Sequence, residues 1–214
     1  MTKPIFNLVR ETLPALEILG FRGVINSTTN HILTALEHGD DFNAALARMQ
    51  AEGIAEADPS LDVDGWDAAA KTAALANVLL GGRVTPHTVE RDGVTAAAAE
   101  AVVAARAAGS RVKLVASAER TDGRVRARVR LTTLPATDLL AGLEGSQNAL
   151  VLQTDPLGEI AIVQRGSGLV TTAYGLVSDL VTIARDAPRP RATRRRPTRA
   201  RPGRSPSRRG RRRS

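Results

Sequence analysis

The sequence predicts an α+β domain of two layers, helices packed on a mixed, largely antiparallel sheet, followed by a disordered C-terminal tail. Three observations carry this. Helical periodicities dominate up to Gly109, strand patterns follow from Val112, and the composition changes abruptly at Ala187. Helices gathered before a run of strands point to an α+β arrangement, whereas regular βα alternation would point to a parallel sheet. The expected boundaries are a domain over 1–186 and a tail over 187–214.

The elements follow in order. Phe6 to Leu16 reads as a helix and Ile18 to Ile25 as a short strand interrupted by glycines. Ser27 has the character of an N-cap for a helix running to about His38. Asp40 or Asp41 can cap the next helix, whose Phe42, Ala45, Leu46 and Met49 recur at helical spacing and which Gly53 ends. A loop is expected to Gly65, then an apolar helix from Trp66 to Leu80 closed by Gly81-Gly82. An Ala-rich helix covers Thr95 to Ala108. Val112 to Ala118 is a strand. In the next one, Val125, Ala127, Val129 and Leu131 alternate with Arg124, Arg126, Arg128 and Arg130, a half-buried pattern with one wet face. Ala149 to Gln153 and Glu159 to Gln164 flank the turn sequence Asp155-Pro156-Leu157-Gly158 and form a hairpin. A last helix runs from Thr172 to Ala184.

Charge divides the chain in the same place. Of the 30 Lys and Arg, 13 Arg lie in 187–214, which holds no acidic residue, leaving 17 basic against 22 acidic side chains in 1–186. The net charge of +8 therefore belongs to the tail, and the body is mildly acidic. A stretch so charged and so poor in apolar residues cannot form a core and repels itself. It could neutralise phosphates of a nucleic acid. It lacks the aromatics that stack on bases, so a plain extension is the favoured reading and a nucleic-acid arm the weaker one. The absence of Cys removes disulfides and thiolate metal sites, and three scattered His argue against a His-built metal site. No apolar run approaches the roughly 20 residues of a membrane helix, and no signal-peptide pattern opens the sequence. A cytoplasmic location is the default expectation.

Chemistry concentrates in three stretches. The first, 53–71, sets Glu56, Asp58, Asp62, Asp64 and Asp67 in a short loop leading into a helix. Asp67 and Lys71 are four apart and share a helical face. Asp67 falls in the first turn, where the helix dipole favours a carboxylate. Lys71, on a helix otherwise made of Ala, Leu and Val, either snorkels to the surface or sits in a pocket. The spacing alone favours an exposed pair of small energetic weight. An acidic Ca²⁺ loop is the other possibility, although the spacing departs from an EF-hand. The second stretch, Gly23 to Asn30, offers hydroxyls, amides and backbone N–H groups at a helix N-terminus, suited to a small anion or simply to capping. The third, Arg165 to Thr172, is a glycine-rich turn before a helix; a bare Gly-x-Gly is a weak signal.

Together these stretches resemble the homoserine dehydrogenase family. The run Gly53-Ile54-Ala55-Glu56-Ala57-Asp58-Pro59, continuing through Asp62, Gly65 and Asp67 to Lys71, is similar to the family's long motif. Gly23 to Asn30 resembles its substrate loop, and Gly166-Ser167-Gly168 with Thr172 and Ser178-Asp179-Leu180 its cofactor-side turn and closing helix. Ser27 stands where Gly is common in the family, and Met49 where Ala is usual. The resemblance implies reversible hydride transfer between NADP or NAD and aspartate semialdehyde, giving homoserine for threonine, methionine and isoleucine biosynthesis. It implies that Lys71 donates the proton, that Asp67 and Glu56 hold the substrate, and that Asp62 and Thr28 line the same pocket. Gly53 and Gly168 would approach the nicotinamide nucleotide.

The resemblance also implies a homodimer. It places the family's nucleotide-binding domain, with its glycine-rich phosphate loop, a further active-site lysine and a monovalent-cation site, before Met1. Two readings therefore stay open. One is a catalytic half working with a separate nucleotide-binding domain and inactive alone; the other is a dimerising, non-catalytic relative.

Overall fold

The computed structural model describes residues 5–166 and 168–186. The tail expected over 187–214 lies outside them, as does Ser167. Seven helices and six strands run in the order α1 Ile5–Thr12, β1 Glu17–Val24, α2 Ser27–Glu37, α3 Phe42–Ala51, α4 Ser60–Val63, α5 Trp66–Leu80, β2 Glu90–Arg91, α6 Ala98–Ala107, β3 Ser110–Thr121, β4 Arg124–Pro135, β5 Asn148–Asp155, β6 Gly158–Gln164 and α7 Leu169–Asp186. One sheet holds all the described strands in the order β2-β4-β3-β1-β5-β6. Every pairing is antiparallel except that of β2 with β4, which is parallel. The architecture is the α+β arrangement expected, a mixed and largely antiparallel sheet under helices.

Strand alternation builds the main core. On β3, Val112, Leu114, Ala116 and Ala118 meet the helices, joined by Ala127 and Val129 of β4, Phe21 of β1, and Leu150 and Leu152 of β5. The helices answer with Ile32, Leu33 and Leu36 of α2, Ala69, Ala73, Ala76 and Leu80 of α5, and Val102 of α6. Alanines on α5 let it approach the sheet closely, so a core poor in aromatics still packs. A smaller core lies on the opposite sheet face. There Val24, Val115, Ala149 and Val151 are covered by Leu140, Ala141 and Leu143 from the β4–β5 connection.

Several element limits differ from expectation for local reasons. The helix of α1 stops at Thr12, ahead of Pro14, because the residue before a proline avoids the helical region. Asn26, not Ser27, caps α2: its side chain accepts from the Thr29 amide. Asp41 caps α3 by accepting from Asn43 and Ala44. The expected loop before Gly65 holds the single turn α4. The Ala-rich helix begins at Ala98 instead of Thr95. β3 and β4 extend well past their expected ends because they pair with each other along their whole length, from Ser110↔Pro135 to Thr121↔Arg124. The final helix is longer than expected, from Leu169 to Asp186.

A charge cluster gathers at the C-terminal end of α2. Glu37 at the end of α2 and Lys113 on β3 both have fully buried side chains, with Lys113 Nζ 3.4 Å from Glu37 Oε1. Arg111 reaches Glu37 at 2.5 Å and Glu144 at 3.2 Å, and Arg106 lies 3.8 Å from Glu37. The cluster ties the C-terminal ends of α2 and α6 to the start of β3 and to the β4–β5 connection.

Candidate active site

Local backbone chemistry brings the site together. β1 ends at Val24, and the chain turns through Ile25 and Asn26 into α2. After α3, Gly53 takes φ +69° and redirects the chain into the acidic loop. Gln50 fixes that loop by donating to the carbonyls of Glu56 and Ala57, each at 3.1 Å. Asp58 accepts from the Ser60 amide at 3.1 Å, opening α4. Hydrogen bonds from the Ser60 hydroxyl and amide hold the Asp58 carboxyl below its usual range.

The turn from α4 into α5 is stapled to the strand beside it. Val94 donates to the Val63 carbonyl at 2.7 Å. Gly65 has φ +78° and is buried, and a Cβ there would strike the Asp92 carbonyl oxygen. Gly65→Ala is therefore expected to destabilise the chain by about 1–3 kcal/mol from backbone conformation alone, before any clash. A thermal-melt comparison checks this, and an unchanged midpoint would contradict it.

The site itself is a cleft of about 540 Å³ lined by Glu56, Asp58, Leu61, Asp62, Trp66, Asp67, Ala70, Pro86 and His87. One wall is acidic. The other is aromatic and apolar: His87, on a short 3-10 turn, meets the Trp66 ring edge-on at 5.1 Å, and the Arg91 guanidinium lies 3.6 Å over the same ring.

Asp67 of the acidic wall accepts through Oδ2 from Lys71 Nζ at 2.5 Å, both side chains about 30% exposed. Lys71 thus neither projects into bulk water nor sits sealed; it is half-buried on its carboxylate. Asn26 donates from Nδ2 to Asp62 Oδ1 at 2.7 Å and to Asp67 Oδ2 at 2.8 Å. The N-termini of α2 and α5 therefore meet at these carboxylates, where both helix dipoles favour negative charge.

Of the residues singled out from sequence, Asp62, Asp67 and Lys71 are brought together through hydrogen bonds and the Asn26 amide; Glu56, Asp62 and Asp67 line the cleft, while Lys71 is outside the lining residues and joins them through Asp67. Thr28 is 6% exposed in the first turn of α2 and is outside the lining set. Gly53 and Gly168 are also outside it; both have positive φ and open space where a Cβ would be. Asn26 caps α2 in place of the expected Ser27; both residue types suit an N-cap, so the sequence does not choose between them. Pro86 and His87 carried no sequence signal, since only the folded path of residues 81–91 brings them to the acidic loop; Trp66 lies within the 53–71 stretch, where it marks the start of α5.

Residues 4–181 match the homoserine dehydrogenase family. A homoserine dehydrogenase of Mycobacterium leprae is 39% identical over 189 residues, covering 86% of this chain and 43% of that protein. One from Methanocaldococcus jannaschii is 38% identical over 181 residues, covering 84% and 52%. An NAD(+)-dependent homoserine dehydrogenase of Pseudomonas canavaninivorans is 36% identical over 187 residues, covering 87% and 53%. The crystal structure of a homoserine dehydrogenase from Thiobacillus denitrificans superposes with a TM-score of 0.80 at 34% identity, covering 86% of this chain and 43% of the other. The chain spans about half the length of the curated relatives it matches. With family match and fold in agreement, this chain belongs to the homoserine dehydrogenase family.

Proposed function

We propose that the cleft is the substrate site of a homoserine dehydrogenase, binding aspartate semialdehyde or homoserine, and that this chain supplies the catalytic half of the reaction. The observation that carries the reading is the hydrogen-bonded series Asp62–Asn26–Asp67–Lys71, whose two carboxylates line the cleft beside Glu56. An amino-acid substrate brings an ammonium, which a wall holding Glu56, Asp62 and Asp67 suits. Lys71 then stands at the carbonyl oxygen. As that oxygen gains negative charge, the ammonium of Lys71 passes it a proton, and Asp67 keeps the amine oriented. The carbonyl carbon gains a hydride and the oxygen a proton, giving the alcohol of homoserine; the reverse reaction returns the proton to Lys71.

A reduced nicotinamide, NADPH or NADH, supplies the hydride when bound. Gly53 and Gly168, which the family resemblance sets against the nicotinamide, have room where a Cβ would stand, as several other surface glycines do, and the β1–α2 turn, Ile25-Asn26, has no glycine run to cradle phosphates. The proposal therefore assigns only the nicotinamide end of the cofactor to this chain. The phosphates belong to a nucleotide-binding domain. α7 offers a surface for it: Val170, Leu176, Leu180 and Ile183 are each more than 60% exposed. The proposal includes a homodimer, which sedimentation of the chain would test.

Calorimetric titration with homoserine tests the substrate reading. Trp66, the single tryptophan, lines the cleft and gives a second, fluorescent readout. Saturable binding is expected, weakened by Glu56→Gln and by Asp67→Asn. Binding indifferent to both substitutions would count against the assignment.

A further inference from the structure

We propose that Asn26 is the positioning residue of this site, a neutral double donor that lets Asp62 and Asp67 stand side by side as carboxylates and fixes the Asp67 oxygen that Lys71 binds. This deepens the proposed function and rests on it for the identity of the ligand.

The hydrogen bonds determine the orientation of the amide. Nδ2 donates to Asp62 Oδ1 and Asp67 Oδ2, at 2.7 and 2.8 Å. Oδ1 accepts from the Thr29 amide at 2.8 Å and the Thr29 hydroxyl at 3.0 Å. Both donors and both acceptor positions of the side chain are thus used inside the protein. A flipped amide would set oxygen against two carboxylates and NH₂ against a backbone N–H, so the chemistry permits only one arrangement. The residue is 4% exposed, so no water replaces these bonds cheaply.

The consequences reach the reacting groups. Asp67 Oδ2 accepts from both Asn26 and Lys71, so the amide sets the position of the oxygen on which the amine rests. The second oxygen of each carboxylate, Asp62 Oδ2 and Asp67 Oδ1, has no partner among the described residues and is left for a ligand. A carboxylate in place of the amide would bring a third negative charge onto the pair. Such clusters bind a proton that ordinary carboxylates release. A serine would cap α2 without reaching both acids.

N26D separates positioning from scaffolding, because it keeps the acceptor that caps α2 and removes only the donors. In the full chain, carboxyl-carbon NMR should show N26D taking up one extra proton with a midpoint above the ordinary carboxylate range. Its homoserine affinity should fall about ten- to a hundredfold at pH 8 and recover toward pH 5, where the introduced carboxyl is protonated and donates again. N26S should lose affinity at both pH values and gain no proton.

Affinity of N26D equal to the parent at both pH values, or equal pH-independent losses in N26D and N26S, would overturn the inference. If N26D unfolds at pH 8, refolding at pH 5 carries the same signature, and an unfolded chain at both overturns it. If the parent chain binds no homoserine, the proposed function fails, and the proton count alone decides the role of Asn26.

Discussion

Lys71→Met is expected to lower turnover by about 10²–10⁴-fold in an assembly that holds this chain and a nucleotide-binding domain, while leaving the fold unchanged. That range corresponds to about 3–5 kcal/mol of transition-state stabilisation. The reason is geometric: Lys71 Nζ sits 2.5 Å from Asp67 Oδ2, and Asp67 lines a cleft that also presents Glu56 and Asp62. Methionine keeps the length of the side chain and removes the proton and the charge. Lys71→Arg should not restore the rate, because a guanidinium stays protonated and is too wide for a position built around one point donor. The measurement is NADPH or NADH oxidation with aspartate semialdehyde. Parent-like kcat in the Met variant would remove Lys71 from the mechanism.

The second large effect concerns stability. Glu37→Ala should destabilise the fold by about 3–5 kcal/mol, because it leaves the buried ammonium of Lys113 and the guanidinium of Arg111 without their shared counter-ion. Chemical denaturation of parent and variant measures this, and a loss below about 1 kcal/mol, the ceiling for an exposed pair, would contradict it. Lys113 adds a pH signature. Burial pushes its ammonium below the ordinary value of 10.5, against the opposing pull of Glu37. In the window between the lowered value and 10.5 the unfolded chain binds the proton and the folded chain does not, so stability rises with pH there. Lys113→Met removes that slope. The stability of the variant relative to the parent is therefore expected to fall as pH rises toward 10.5, whatever its offset at neutral pH.

These two sites also show what a sequence exposes. The Asp67–Lys71 pair was legible because i,i+4 spacing on a helix is a local property, and α5 formed over the expected residues. Spacing alone still favoured an exposed pair; the family resemblance, not the periodicity, pointed to a pocket. The order of helices and strands was legible for the same local reason. Lys113 was not. It lies in a recognisable strand, but its partner Glu37 stands at the end of α2, far away in sequence, and nothing periodic announces that pairing. The Arg row of β4 was read as a solvated face, which holds for Arg124 and Arg126; Arg130 is also exposed but paired to Glu90 and Asp92 across the short parallel strand β2. Two residues are too few to announce a strand, and β2 is set by pairing with β4, not by its own sequence. Asn26 was hidden by its neighbour Ser27, since both residue types cap helices and only the fold shows which one meets the carboxylates.

The central claim is that one amino-acid substrate lies along the acidic wall with its reacting oxygen on Lys71. A crystal structure of the chain grown with homoserine tests it most directly. The account predicts the ammonium among Glu56, Asp62 and Asp67 and the hydroxyl within hydrogen-bond reach of Lys71 Nζ. Homoserine bound with its hydroxyl turned away from Lys71, or seated outside this cleft, would contradict it.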